Sequence, residues 1–358
     1  MESVKMVMSK QDILKLFPQL ELTSYGDFVI HKEYVQDYEI IDFHTHTFPG
    51  VSGMLPALFR TELDDERACF FDLSCYPGSA DFFDINKVGY RDWPESFWSS
   101  SGLKTALDLL GFNGVITLAR KASNKRLARD MKLANINYSV VLPINSRRVE
   151  STSLLLDTIS EYHQLLPFGS IHPLESDIET KIKAYVQKGV KGFKINPHIQ
   201  KVDFDDEKTI DLVKKLAETG LPITSCSGLA LPDHYLKQVP GSLRRGVETQ
   251  NLNRYEKVLS QIPDHPFIFA HGGIEQNDAL VPLMKKFPHT FTDISTQNSE
   301  NITRLIEEIG SHRLLFGSDY PFFNQAFPIL SVLKATDNPQ DRRAIFSKNA
   351  RKLLGLTH

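Results

Sequence analysis

The chain has 358 residues, 41% hydrophobic and 24% charged, the profile of a globular protein with room for one large α/β domain or two ordinary ones. Its 41 basic and 44 acidic residues nearly cancel to a net charge of −3, which argues against nucleic acid or another polyanion as a general partner. No apolar run approaches the roughly 18 residues that a bilayer span requires.

The opening segment, "MESVKMVMSKQDILKLFPQL", lacks a signal peptide's apolar core and cleavage site. It reads as a short amphipathic helix with Ile13, Leu14, Leu16 and Phe17 on one side, so residues 1–38 are expected to form a helical extension. Three cysteines, Cys69, Cys75 and Cys226, odd in number and without a C-x-x-C pair, fit a reducing compartment and a cytoplasmic location.

From residue 38 onward, short apolar runs alternate with amphipathic stretches. The expected strands are "EIIDFH" (39–44), "SVVLPIN" (139–145), "PFGSIHP" (167–173), "GFKINP" (192–197), "LPITSC" (221–226), "FIFAHG" (267–272), "TFTDIS" (290–295) and "LLFGSD" (314–319). Between them, "DIETKIKAYVQKG", "DDEKTIDLVKKLAETG" and "NITRLIEEIG" show helical periodicity and a terminal glycine. Strand and helix in series imply parallel strands with right-handed crossovers, and eight of them suit an α/β fold of the (β/α)₈ barrel type over residues 39–358. An open doubly wound sheet is the alternative, but no G-x-G-x-x-G follows the first strand. A ninth run, "GVITLA" (114–119), is assigned to a helical region before the second strand. Residues 47–137 form a long insertion rich in Phe, Tyr and Trp, including Trp93, Phe97 and Trp98. It either covers the barrel mouth or packs around a small core of its own.

In a barrel, chemistry sits at the C-terminal ends of the strands. Those ends carry His44 and His46; Asn145, Arg147 and Arg148; His172; Lys194, Asn196 and His198; Cys226; His271; Asp293; and Asp319. His44 and His46 are two residues apart and point to one side of a strand, as two ligands of one metal would. Twelve histidines give roughly 0.4 such pairs by chance, so the pair alone fits a polar loop equally well. A histidine before two glycines in "FAHGG" and an aspartate ending the buried run "LLFGSD" add weight to the metal reading.

Taken together, "DFHTH", "GFKINP", "FAHGG" and "LLFGSDYP" followed by "NARKLLG" resemble the amidohydrolase superfamily, and within it the amidohydrolase-related branch of metal-dependent hydrolases and nonoxidative decarboxylases. The resemblance implies a metal at the barrel mouth, with His44 and His46 as first-strand ligands, His271 as the sixth-strand histidine and Asp319 as the eighth-strand aspartate. Where the branch usually carries a fifth-strand histidine, this chain has Cys226 in "LPITSCSG". The expected site is therefore one zinc ion on His44, His46, Cys226 and Asp319, with a second metal or Mn²⁺ as alternatives. An inert buried cysteine is the other reading of Cys226.

The expected function is hydrolysis of a small anionic substrate, with Asp319 carrying the proton of a zinc-activated water and His271 polarising the scissile carbonyl or protonating the departing group. The alternatives are a metal-dependent nonoxidative decarboxylase and an inactive barrel that binds a small molecule. Lys194, Arg147, His172 and Asn196 are the candidate substrate-binding residues, the arginine as a carboxylate fork. Arg147 and Arg148 read equally as a solvated loop, and Lys194 as a carbamate, a free cation or an ion-pair partner. Barrels of this branch are often dimeric, which makes a homodimer the partner that the resemblance suggests.

Overall fold

The structure, a computed structural model, describes residues 10–24, 26–47, the short strands at 83–84 and 89–90, and residues 122–147, 149–229 and 241–357. Most of the aromatic insertion, with Trp93, Phe97, Trp98 and "GVITLA", lies outside the described residues, as do Arg148, Cys69 and Cys75.

The N-terminal segment holds a helix, Lys10–Leu16, and also a small antiparallel hairpin of β1 (Leu20–Leu22) and β2 (Phe28–Ile30). Three-residue strands are too short for periodicity to register, which is why the sequence suggested helix alone. The hairpin packs on the main body: Phe28 stacks 5.4 Å from Phe327, and Asn324 Nδ2 donates to the Phe28 carbonyl.

The eight expected strands all form. They are β3 (Ile41–Thr45), β6 (Tyr138–Val141), β7 (Leu165–Pro167), β8 (Phe193–Ile195), β9 (Ile223–Cys226), β10 (Phe267–Ala270), β11 (Thr290–Asp293) and β12 (Leu314–Leu315); β4 (Phe83–Asp84) and β5 (Gly89–Tyr90) pair only with each other. Pairing within β3-β6-β7 and within β8-β9-β10-β11-β12 is parallel throughout. Backbone hydrogen bonds join the two sheets at both seams. Beyond β7, Gly169 N donates to Gly192 O and Lys194 N donates to Gly169 O. Beyond β12, Phe43 N donates to Phe316 O, Asp319 N to His44 O and His46 N to Tyr320 O. The strands thus follow one another around a (β/α)₈ barrel, with helices such as Ser151–Ile159, Ile178–Gln187 and Glu207–Ala217 in the crossovers. The helix Asn124–Leu133, at the end of the stretch expected to be an insertion, leads into β6.

Alternation divides the strands between two cores. Ile41, Phe43, Val140, Leu142, Leu166, Phe168, Ile268 and Leu315 form one cluster, closed by Ala350 and Leu354 of the C-terminal helix. Their neighbours Ile40, Val141, Phe267, Phe269 and Leu314 belong to the larger cluster beneath the helices. One break in this alternation shapes the mouth. The β3–β6 register shifts between Asp42 and Thr45, so that His44 turns inward directly after the inward-facing Phe43.

Two contacts brace the mouth. Asp42, fully buried, accepts from Ser318 N, Ser318 Oγ, Gln325 Nε2 and His44 N, tying β3 to the segment after β12. Gly228 (φ +87°) lies so close to Gly273 that a Cβ would stand 1.8 Å from the Gly273 carbonyl oxygen. Gly228→Ala combines a left-handed φ with this backbone clash and is expected to cost at least about 2 kcal/mol, read as a lower denaturation midpoint.

Asp130, on the helix before β6, accepts from the Tyr320 hydroxyl at 3.0 Å. Burial pushes its carboxyl up to about 7, against the opposing pull of Arg126. A carboxyl with a raised folded-state pKa holds its proton longer in the folded protein, so its contribution falls as pH rises from about 4 to 7. Calorimetry across that window is expected to show a smaller loss of stability in Asp130→Asn than in the unmodified chain.

Candidate metal centre

Four side chains converge at the mouth. His44 and His46 come from the end of β3, His271 follows β10 and Asp319 follows β12. Ligand atoms of His44, His271 and Asp319 all lie within 4.8 Å of one another, and all three residues are buried. His44 Nε2 stands 3.7 Å and His46 Nε2 3.6 Å from the same oxygen, Asp319 Oδ1. The His44 ring lies 4.4 Å from the His271 ring and 5.2 Å from the His46 ring.

The hydrogen bonds behind these rings assign each tautomer. His44 Nδ1 donates to Asp293 Oδ2 at 2.8 Å, and His46 Nδ1 donates to the Leu142 carbonyl at 2.7 Å. The Ser295 hydroxyl donates to Asp293, leaving its oxygen to accept from His271 Nδ1 at 2.8 Å. All three Nε2 atoms are therefore left with lone pairs, and that of His44 is fully buried without a hydrogen-bond partner among the described residues. Burial keeps the imidazoles uncharged: it lowers His44 and His271 well below the ordinary histidine range and His46 to about 3, with Lys194 acting in the same direction. Burial and then Asp293 raise the Asp319 carboxyl. Neutral imidazole lone pairs around a carboxylate suit a divalent cation, so the residues present fit the metal that the sequence implies.

Backbone geometry is unusual at the same two positions. His271 (φ 62°) and Asp319 (φ 60°) occupy the left-handed region, which costs a non-glycine residue roughly 1–2 kcal/mol. Tight backbone bonds hold them there, including His271 N to Asp293 Oδ1 and Asp319 N to His44 O.

The other expected site residues divide. Lys194 on β8 is completely buried, its Nζ interacts with the Cys226 sulfur and has no oxygen or nitrogen partner among the described residues, and its charge is felt at His44, His46, His271, Cys226 and Asp319. Cys226 ends β9 with Sγ 3.7 Å from His271 Nε2, and Asn196 Nδ2 donates to that sulfur at 3.1 Å. Burial raises the thiol, while Lys194 pulls it down. His172 stands apart: Nε2 donates to the Gln200 carbonyl and Nδ1 accepts from Leu174 N, so both ring nitrogens serve the loop. Arg147 is exposed. Asn145 is also spent on its loop, accepting from Ser151 N and Thr152 N. Asp293, visible as a polar strand end, was given no role from sequence; it is the residue that orients His44 and, through Ser295, His271.

Comparison with known proteins places this geometry. Residues 137–356 match the amidohydrolase family. No curated protein matches the sequence. Among solved structures, an uncharacterised TIM-barrel protein from Bordetella bronchiseptica aligns with TM-score 0.57 at 16% identity, covering 88% of this chain and 98% of that one. The 5-carboxyvanillate decarboxylase LigW from Sphingomonas paucimobilis aligns with TM-score 0.56 at 15% identity, covering 89% and 99%. An amidohydrolase from Burkholderia multivorans with bound zinc aligns with TM-score 0.54 at 15% identity, covering 89% and 100%. At these identities the likeness is one of fold, whereas the family match spans well over half of the sequence. The chain belongs to the amidohydrolase superfamily, in its amidohydrolase-related branch.

Proposed function

We propose that the chain is a metal-dependent hydrolase of a small carboxylate-bearing substrate, cleaving a carbon–nitrogen or ester bond. The observation that carries this reading is the set of three inward-facing Nε2 lone pairs arranged about Asp319. His44, His46 and Asp319 would hold a divalent cation, which would make water acidic enough to attack at neutral pH and polarise a substrate oxygen, while His271 Nε2 stays available for proton transfer. The zinc in the Burkholderia structure supports zinc as that ion.

The protein's own groups handle the proton. Asp319, ionised beside the cation, would take a proton from the attacking water and return it to the departing group. His271 is wired to receive rather than to give: Nδ1 keeps its hydrogen on Ser295, so Nε2 must gain a proton before it can protonate a leaving group. Asp293 behind Ser295 favours the positive charge that such a step places on the ring. For the anionic substrate, Lys194 makes the floor of the mouth positive, and the exposed Arg147 in the loop after β6 would steer a carboxylate.

A nonoxidative decarboxylase is the second reading. It is favoured by the buried ammonium of Lys194, which has no carboxylate partner among the described residues and suits a substrate whose carboxylate is itself the reacting group, and by the decarboxylase among the fold neighbours. There, proton transfer from Asp319 or His271 to a substrate carbon would precede loss of CO₂.

Carboxylate-bearing esters, lactones, amides and aromatic acids form the test panel, assayed in ¹⁸O-labelled water with CO₂ capture. The hydrolase reading expects ¹⁸O in the acid product without CO₂ release; CO₂ release without label would establish the second reading. Under either, chelation and His44→Ala are each expected to lower turnover at least about 100-fold, and zinc to restore only the chelated protein. Turnover indifferent to both treatments would overturn metal dependence. Asp293→Asn, which keeps size but removes the charge opposite His44 Nδ1, is expected to weaken zinc binding about 10–100-fold, measured by competition with a chromogenic chelator.

A further inference from the structure

We propose that Cys226 contributes its sulfur to the cation of this site, making the centre selective for a soft divalent ion such as Zn²⁺ over Mg²⁺. The inference rests on the reading that the cluster holds a cation, and it adds a donor that the His44, His271 and Asp319 grouping does not contain.

The first argument is spacing. A sulfur about 2.3 Å and a nitrogen about 2.0 Å from one tetrahedral ion stand about 3.5 Å apart. The 3.6 and 3.7 Å separations of His46 and His44 from Asp319 Oδ1 are close to the corresponding nitrogen–oxygen edge, and Cys226 Sγ, 3.7 Å from His271 Nε2, borders the same space beside the His44 ring. His271 links the groups, since its ligand atom lies within 4.8 Å of those of His44 and Asp319 while Nε2 faces the sulfur.

The second argument is what surrounds the sulfur. Asn196 Oδ1 accepts from Ile199 N, which fixes the amide and leaves Nδ2 to donate to Sγ at 3.1 Å. A donor aimed at sulfur favours the anionic form that a cation requires. Lys194, next to this pair on the paired strand, is fully buried, and among the described residues its Nζ has no oxygen partner and interacts instead with the Cys226 sulfur. A dry ammonium is costly until an anion stands near it, and a coordinated sulfur is one. With three donors, the ammonium can serve both the sulfur and a substrate oxygen. Coordination exchanges the S–H proton, released to solvent, for the cation. Thiolate is a strong donor for Zn²⁺ and a poor one for Mg²⁺.

Cobalt spectroscopy tests the inference on the full chain carrying Cys69→Ser and Cys75→Ser, so that Cys226 is the sole thiol. After chelation and reloading with one equivalent of Co²⁺, a thiolate-to-cobalt charge-transfer band in the near ultraviolet is expected. Cys226→Ser and Cys226→His are both expected to lose the band while still taking up cobalt through the remaining ligands. Cobalt uptake without the band, or a band that survives either substitution, would overturn the role of Cys226 and leave metal dependence standing. No cobalt uptake would overturn both. A second measurement needs no variant at Cys226: Zn²⁺ is expected to displace Co²⁺ and abolish the band, whereas excess Mg²⁺ leaves it intact. Displacement by Mg²⁺ at comparable concentration would sink the selectivity claim.

Discussion

Among the described residues, the carboxylate of Asp293 accepts four hydrogen bonds, from His44 Nδ1, His271 N, Ser295 N and the Ser295 hydroxyl. These donors come from three separate segments: the end of β3, the turn after β10, and the residues directly after β11. A buried carboxylate without such partners would be expensive, and the bonds both offset that cost and orient the rings. By holding His44 through Nδ1 and His271 through Ser295, Asp293 turns two Nε2 lone pairs toward Asp319. The site is thus set by a residue that need not touch the cation.

The turn after β10 follows from the same constraint. His271 N must reach Asp293 while its side chain reaches the mouth, and the chain satisfies both by passing through left-handed conformations at His271, Gly272 and Gly273. Gln297 Nε2 secures the exit by donating to the His271 carbonyl. Gly273 then allows the β9 loop to pass against it at Gly228. The glycines of "FAHGG" and "SCSG" therefore belong to one backbone contact rather than to two independent turns.

How far the sequence alone reached depended on the length scale of each signal. The eight parallel strands were legible because strands buried on both faces read as continuous apolar runs, as in Phe267–Ala270. His44, His46, His271 and Asp319 were legible as polar residues ending such runs. The hairpin at Leu20–Ile30 was not, since three residues per strand carry no period. Nor were the loop duties of His172, because a strand-end histidine that serves backbone carbonyls looks, in sequence, like one that serves a substrate. The role of Asp293 was hidden for a different reason. Its partners lie 249 residues upstream at His44 and 22 upstream at His271, and only closure of the barrel brings them together.

The same small volume holds several costly features. Among the described residues it contains the unpartnered Nε2 of His44, the buried ammonium of Lys194 without a carboxylate partner, and two non-glycine residues with positive φ, His271 and Asp319. Any one of these alone could be an accident of packing. Together they mark a region where the surrounding barrel supplies the stability and the site spends it, as expected where groups must be held ready for a ligand. A cation would satisfy His44 directly, and an anionic sulfur or carboxylate beside it would satisfy Lys194. Ligand binding, on this reading, would be coupled to folding stability through identifiable atoms, and the coupling has a sign: each occupant of the mouth should make the barrel harder to unfold.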